Sequence, residues 1–247
     1  MKTNNSKILI DIQNVTKSFG ENEVLKGVTM QLYENENLVV LGKSGTGKSV
    51  LIKCIVNLLE QDSGLIKVID LEVTKNDEEN LLAIREKIGF LFQGAALYDS
   101  MTVRENLAFP LTRSKKKLNV ENLETKIIEA LENVSLPDAI DKMPSELSGG
   151  MKKRIGLART LITNPKILLY DEPTTGLDPI TSDEISDLIN FTKKKYKTSS
   201  IIITHDIKCV KSVADRIIML KEGTVYKEGT LQEFENDQDA YIKSFFN

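Results

Sequence analysis

Leu38-Val39-Val40-Leu41-Gly42-Lys43-Ser44-Gly45-Thr46-Gly47-Lys48-Ser49 is a short, wholly apolar run that breaks into a glycine-rich loop. Its last eight residues, Gly42 to Ser49, fit the pattern G-x-x-x-x-G-K-[ST]. Glycines at these spacings let successive backbone N–H groups turn inward around phosphate oxygens, and the helix that follows adds its positive end. Gly42, Ser44, Gly45 and Gly47 thus form the cradle. Lys48 is placed to reach the β- and γ-phosphates, and the Ser49 hydroxyl to ligate Mg²⁺. From ordinary composition, a chain of this length matches by chance about once in a hundred, and here the strand before and the helix after supply the context. The loop therefore predicts nucleotide binding.

Working outward, Val50-Leu51-Ile52, Ile55-Val56 and Leu58-Leu59 recur at helical spacing until the turn Gln61-Asp62-Ser63-Gly64. Upstream, Ile8 to Val15 puts Ile8, Ile10 and Ile12 on one strand face and Asp11 and Gln13 on the other. Ile167 to Tyr170 and Ser200 to Ile203 are further apolar strands. Short apolar strands alternating with helices predict a largely parallel sheet covered on both faces, with ligands at the strands' C-terminal ends. From about Asn80 to Thr163 the texture turns helical, with Ile127, Ile128, Leu131 and Val134 on one helix face. This reads as a helical subdomain, about 93–163, inserted into a core of about 1–92 and 164–230. Lys221-Glu222-Gly223-Thr224 reads as a turn between two late strands, and 231–247 as a closing helix.

Bulk properties bound the rest. The 247 residues suit one large domain, are 40% hydrophobic and 28% charged, and carry a net charge of −3. That balance gives no footing for nucleic acid. The runs Lys115-Lys116-Lys117 and Lys193-Lys194-Lys195 read as solvated faces. No segment reaches the ~18 apolar residues needed to span a bilayer, and Ile8-Leu9-Ile10 is too short for a signal-peptide core. Cytosolic residence is therefore expected. Cys54 and Cys209, without metal spacing, read as buried free thiols.

Four more residues carry chemistry. Asp171 and Glu172 end an apolar strand, where paired acids are costly unless something positive faces them. Asp171 suits the outer coordination of Mg²⁺, and Glu172 a general base toward the attacking water. The alternative is a helix N-terminal charge pair ahead of Pro173. His205, the chain's only histidine, follows Ile201-Ile202-Ile203 and Thr204, a position that suits a γ-phosphate contact. Gln93, after Gly89-Phe90-Leu91-Phe92, offers an amide to the Mg²⁺ shell and the water.

Taken together over about Ile8 to Gly229, these pieces resemble the ATP-binding subunits of ABC transporters. The order matches: Phe19, where an aromatic would stack on adenine, then Gly42–Ser49, Gln93, Leu147-Ser148-Gly149-Gly150-Met151, Asp171-Glu172, Gly176-Leu177-Asp178-Pro179 and His205. The resemblance implies an α/β fold: a P-loop NTPase core with a mostly parallel sheet, antiparallel N-terminal strands and the inserted helical subdomain. It also implies a composite site. Ser148, Gly149 and Gly150 would cap the γ-phosphate held by a second ATPase subunit, a homodimer being the expectation, with Asp178 across that interface. ATP and Mg²⁺ are the implied cofactors, and a separate integral membrane permease the implied partner, docking beside Phe92 to Leu111. The ATPase would then sit on the cytoplasmic side, peripheral to the inner face of the cell membrane.

Met151 stands where Gln is common. Leu147 to Arg154, Phe92 to Tyr98, Met101-Thr102-Val103, Asn106, Phe109-Pro110-Leu111 and Asp178-Pro179-Ile180-Thr181 look like the ATPases of Mla/MCE-type phospholipid transporters. That resemblance adds a lipid-binding MCE protein as a partner and lipid as the cargo. The competing expectations are the ATPase of another ABC importer or exporter, and a single-cassette ATPase of cofactor assembly working without a permease. A regulatory module without hydrolysis is at odds with intact Glu172 and His205.

Overall fold

In the computed structural model, residues 6–113 and 120–246 are described. The Lys115–Lys117 run and the extreme termini lie outside them. The chain opens with β1 (Ile8–Phe19), β2 (Asn22–Tyr33) and β3 (Asn37–Leu41), then α1 (Lys48–Ile55), β4 (Ser63–Val68), β5 (Leu71–Glu72), α2 (Glu78–Lys87) and β6 (Ile88–Leu91). A helical stretch follows, α3 (Val103–Thr112), α4 (Val120–Glu132) and α5 (Gly149–Leu161). Then come β7 (Ile167–Asp171), α6 (Pro179–Tyr196), β8 (Ser199–Thr204), α7 (Ile207–Val213), β9 (Arg216–Lys221), β10 (Thr224–Gly229), α8 (Leu231–Glu235) and α9 (Ala240–Phe246).

Two sheets form. One is antiparallel with order β2-β1-β4-β5; the other runs β10-β9-β3-β8-β7-β6, parallel except for β10. The parallel strands are apolar throughout because both faces are covered. Leu38 and Val40 of β3, Leu169 of β7 and Ile201 of β8 enter the core shared with α1 and the antiparallel sheet. Their neighbours Val39, Leu41, Tyr170 and Ile202 enter a second core under α6, α7, α8 and α9. A third cluster joins α3, α4 and α5 through Val103, Leu107, Ile127, Leu131 and Ile155. Helix α5 belongs to both, giving Leu157 and Leu161 to the second core and Ile155 and Ala158, with its C-cap Ile162, to the third.

Several expectations are corrected. The helix after the glycine loop ends at Ile55, not at Gln61, because Asn57 takes φ 51 and the N–H groups of Asn57 and Leu58 turn back to Cys54 and Lys53. Leu58 is consequently exposed. Ile8 and Ile128 are exposed rather than buried, Ile8 because it begins the strand, Ile128 because it lies one residue off the Ile127–Leu131 stripe. The helical texture at Asn80 belongs to α2, whose Leu81 and Ile84 pack in the first core. The closing segment is two helices, since Asp239 accepts from the N–H groups of Tyr241 and Ile242 and starts α9 afresh. Lys194 and Lys195 are exposed, whereas Lys193 is half-buried and pairs with Asp215. Cys54 and Cys209 are buried free thiols. No helix among the described residues is long and apolar enough to cross a membrane.

Candidate active site

β3, β7 and β8 are neighbours in the parallel sheet, so the loops that follow them open on one edge. The loop after β3 is the glycine cradle. Gly45 and Gly47 hold φ 83 and 96, conformations that a side chain would strain, and Gly47 leads directly into α1. Lys43, Ser44 and Gly45 are exposed, while Lys48 is buried beneath them. Its Nζ donates to Gly42 O at 2.7 Å and Lys43 O at 3.1 Å, and lies 3.8 Å from Glu172 Oε1. Burial pulls the Lys48 ammonium below the usual lysine range, while Glu172 and Asp171 oppose that shift. A buried cation beneath an exposed glycine-rich loop suits a polyanion.

Ser49, in the first turn of α1, donates its hydroxyl to Asp171 Oδ1 at 2.7 Å. These are two hard oxygen donors. Among the described residues no cluster of three or more His, Cys, Asp or Glu side chains could hold a metal. The protein thus offers few ligands of its own, a donor set that fits Mg²⁺ completed by phosphate oxygens and water.

Glu172 lies one residue past β7 at φ 51, a left-handed conformation costing roughly 1–2 kcal/mol outside glycine. Its backbone is held on both sides, the N–H by Ile203 O at 2.9 Å and the carbonyl by Lys153 Nζ at 3.0 Å. Its carboxylate meets Thr175 Oγ1 at 3.0 Å and His205 Nδ1 at 2.9 Å. His205, just past β8, is half-exposed, with its Nδ1 on Glu172. The γ-phosphate role expected of His205 therefore comes with a contact the sequence did not announce. Thr174 ties the same turn to Asp206, the cap of α7.

The remaining candidates lie around this centre. Gln93 is exposed two residues past β6, on the strand next to β7. The loop after it turns through Ala95 and Ala96, both at positive φ, and is clamped by Arg159, which donates to both their carbonyls and to Asn106. Phe19 is half-exposed at the end of β1. Ser148 caps α5, its Oγ accepting from Met151 N at 3.3 Å, and with Gly149 it is exposed. The Met151 side chain packs on the α3–α4–α5 cluster. The odd letter in this stretch thus serves packing, while its backbone N–H serves the Ser148 cap. Asp178 caps α6, with its carboxylate held below the usual range chiefly by the Thr181 hydroxyl. Among the described residues no hydrogen bond or ion pair joins the glycine cradle to Ser148–Gly150.

A family model described as ABC transporter matches residues 25–175. The chain belongs to the ABC transporter family. It is 36% identical over 98% of its length to protein TRIGALACTOSYLDIACYLGLYCEROL 3, chloroplastic, of Arabidopsis thaliana, covering 74% of that protein. It is 39% identical over 97% of its length to methionine import ATP-binding protein MetN 4 of Oceanobacillus iheyensis, covering 70% of that one. The fold is similar to the dimeric post-hydrolysis structure of the ATP-binding cassette MJ0796 bound to ADP and Pi, at TM-score 0.81 and 33% identity, over 90% of this chain and 99% of that one. The protein is an ATP-hydrolysing cassette that powers transport, with the α/β architecture of its family.

Sequence reasoning missed Lys153, Arg159 and Asp206. A lysine or arginine within a helix reads as a solvated charge. Only the packing of α5 against β6 and α6 puts Lys153 under Glu172.

Proposed function

We propose that the chain, one ATPase domain over residues 1–247, binds Mg²⁺–ATP in its glycine cradle. Hydrolysis follows once a second copy caps the γ-phosphate with Ser148, Gly149 and Gly150. The observation that carries this is Glu172: a buried carboxylate in a strained backbone pose, 3.8 Å from Lys48 and 2.9 Å from His205. Glu172 orients water and takes its proton as the oxygen attacks phosphorus. The bond to the β-phosphate oxygen breaks, releasing ADP and phosphate. His205 and Gln93 attend the γ-phosphate and the water. Ser49, Asp171 and Gln93 hold the metal, which when bound neutralises charge developing on the phosphates. Phe19 stacks on adenine, and Asp178 lies across the dimer interface.

The dimer works on the cytoplasmic face of the membrane, where Phe92 to Leu111 receive a permease helix. The cargo we infer is phospholipid moved across the cell envelope, with an MCE-type lipid-binding protein as a further partner. Support comes from Met151 with its flanking residues, and from a relative at 36% identity named for a galactolipid. The methionine-import relative at 39% identity favours a second reading, an amino-acid importer. Reconstitution decides between them. The permease captured from solubilised membranes, placed with this ATPase in liposomes, should transfer labelled phospholipid only with ATP. ATP-dependent methionine uptake without lipid transfer would overturn the lipid reading.

A further inference from the structure

Lys152-Lys153-Arg154 looks uniform, yet only Lys153 is buried, 5% exposed. Its Nζ donates to Glu172 O at 3.0 Å. That carbonyl needs an anchor. Glu172 sits at φ 51, and the following Pro173 pushes its predecessor toward extended backbone. The Ile203 carbonyl fixes the N–H side of Glu172; on the other side its carbonyl accepts the shorter bond from Lys153 Nζ and a longer one, 3.3 Å, from Thr175 N within its own turn. Lys48, Thr175 and His205 meet the Glu172 carboxylate from the chain's own catalytic edge. Lys153 instead comes from α5, five residues, roughly 7.5 Å of helix, beyond the exposed cap Ser148.

The start of α5 packs closely on α6. Arg154 pairs with Glu184 there, and a Cβ on Gly150 would lie 2.4 Å from Thr181 Cγ2. The helix also spans the second and third cores, so its displacement is not absorbed locally. One rigid element therefore carries the cap for a neighbour's nucleotide and the anchor for this chain's base. We propose that Lys153 is a positioning residue: capping of the neighbour's nucleotide by Ser148–Gly150 sets, through Lys153, the pose of Glu172 in the chain's own site, so both sites become competent together. This rests on the composite-site reading above.

Glu172→Gln tests that underlying reading alone: with ATP it should elute as a dimer, and so should Glu172→Gln/Lys153→Met, since capping does not use Lys153. The coupling is read in the full-length dimer from steady-state ATPase rates and nucleotide binding. Lys153→Met is expected to lower kcat about tenfold, leave nucleotide affinity within about twofold, and bring the Hill coefficient for ATP from above one to one. Lys153→Gln, which keeps a donor, should retain kcat within about threefold. Parental kcat and cooperativity in folded Lys153→Met overturn the proposal, as does a Gln variant no better than Met. Should Met fail to fold, a mixed dimer of parent and Ser148→Arg chains answers instead. Coupled sites leave under about a tenth of parental ATPase, whereas independent sites leave about half, and half overturns the proposal.

Discussion

Replacing Gly150 by alanine adds one methyl group where α5 crosses α6. Gly150 is buried, and the new Cβ would lie 2.4 Å from Thr181 Cγ2, so the gap must open by about 1.3 Å to restore a carbon–carbon contact of roughly 3.7 Å. Thr181 cannot swing aside cheaply, because its hydroxyl donates to Asp178 Oδ2 at 2.6 Å. The helix must yield instead, carrying Ser148 and Gly149 with it. Stability should change little: alanine gains about 1 kcal/mol of helix preference over glycine, and overpacking costs about 1–3 kcal/mol. The net loss of about 0–2 kcal/mol lowers Tm by roughly 0–8 °C in a domain of this size. Activity is far more sensitive, since a misplacement of about 1 Å costs on the order of a hundredfold, or about 2.7 kcal/mol of barrier. Phosphate release at saturating ATP and a thermal melt measure the two effects. Thr181→Ser deletes the offending methyl and keeps the hydroxyl, so Gly150→Ala/Thr181→Ser should recover to within about fivefold of Thr181→Ser alone. A Gly150→Ala enzyme within threefold of the parent, or no recovery in the double variant, would refute the argument from helix displacement.

Three further outcomes are expected. Lys48→Met removes an ammonium whose charged form burial disfavours, so the nucleotide-free protein should keep its stability within about 1 kcal/mol; ATP at a hundred times the parental Kd stabilises the parent by about 2.7 kcal/mol and should not shift the variant's melt. Arg159→Met strips the donors from Ala95 O, Ala96 O and Asn106, and should cost about 2–3 kcal/mol in urea unfolding. Burial pushes the Cys54 thiol up to about 11 and the Cys209 thiol to about 12, so at pH 8 no more than about a thousandth of either is thiolate, and Ellman's reagent should label both only after denaturation.

The parallel core was legible because double burial writes itself as unbroken apolar runs: Val39 and Val40 face different cores, and both must be apolar. The cradle was legible because backbone geometry demands glycine at fixed spacings. What escaped were long-range contacts by ordinary residue types. Nothing local tells Lys153 from Lys152, yet one is buried beneath Glu172 and the other is not. Asp206 reads as a polar residue after a histidine, and its role in capping α7 while holding Thr174 needs the turn after β7 alongside. The closing segment misread for a related reason: a run of polar residues around Asp239 hides a new helix cap inside what periodicity treats as one helix.

The central claim is that Glu172 activates the attacking water inside a site completed by a second copy. Light scattering and phosphate release on Glu172→Gln test both halves in one sample. The neutral amide keeps the shape of the side chain and loses the base, so the variant should bind ATP, release phosphate at least about a thousandfold more slowly, and shift from monomer to dimer when ATP is added. Turnover at the parental rate, or a protein that stays monomeric with ATP bound, would contradict the account.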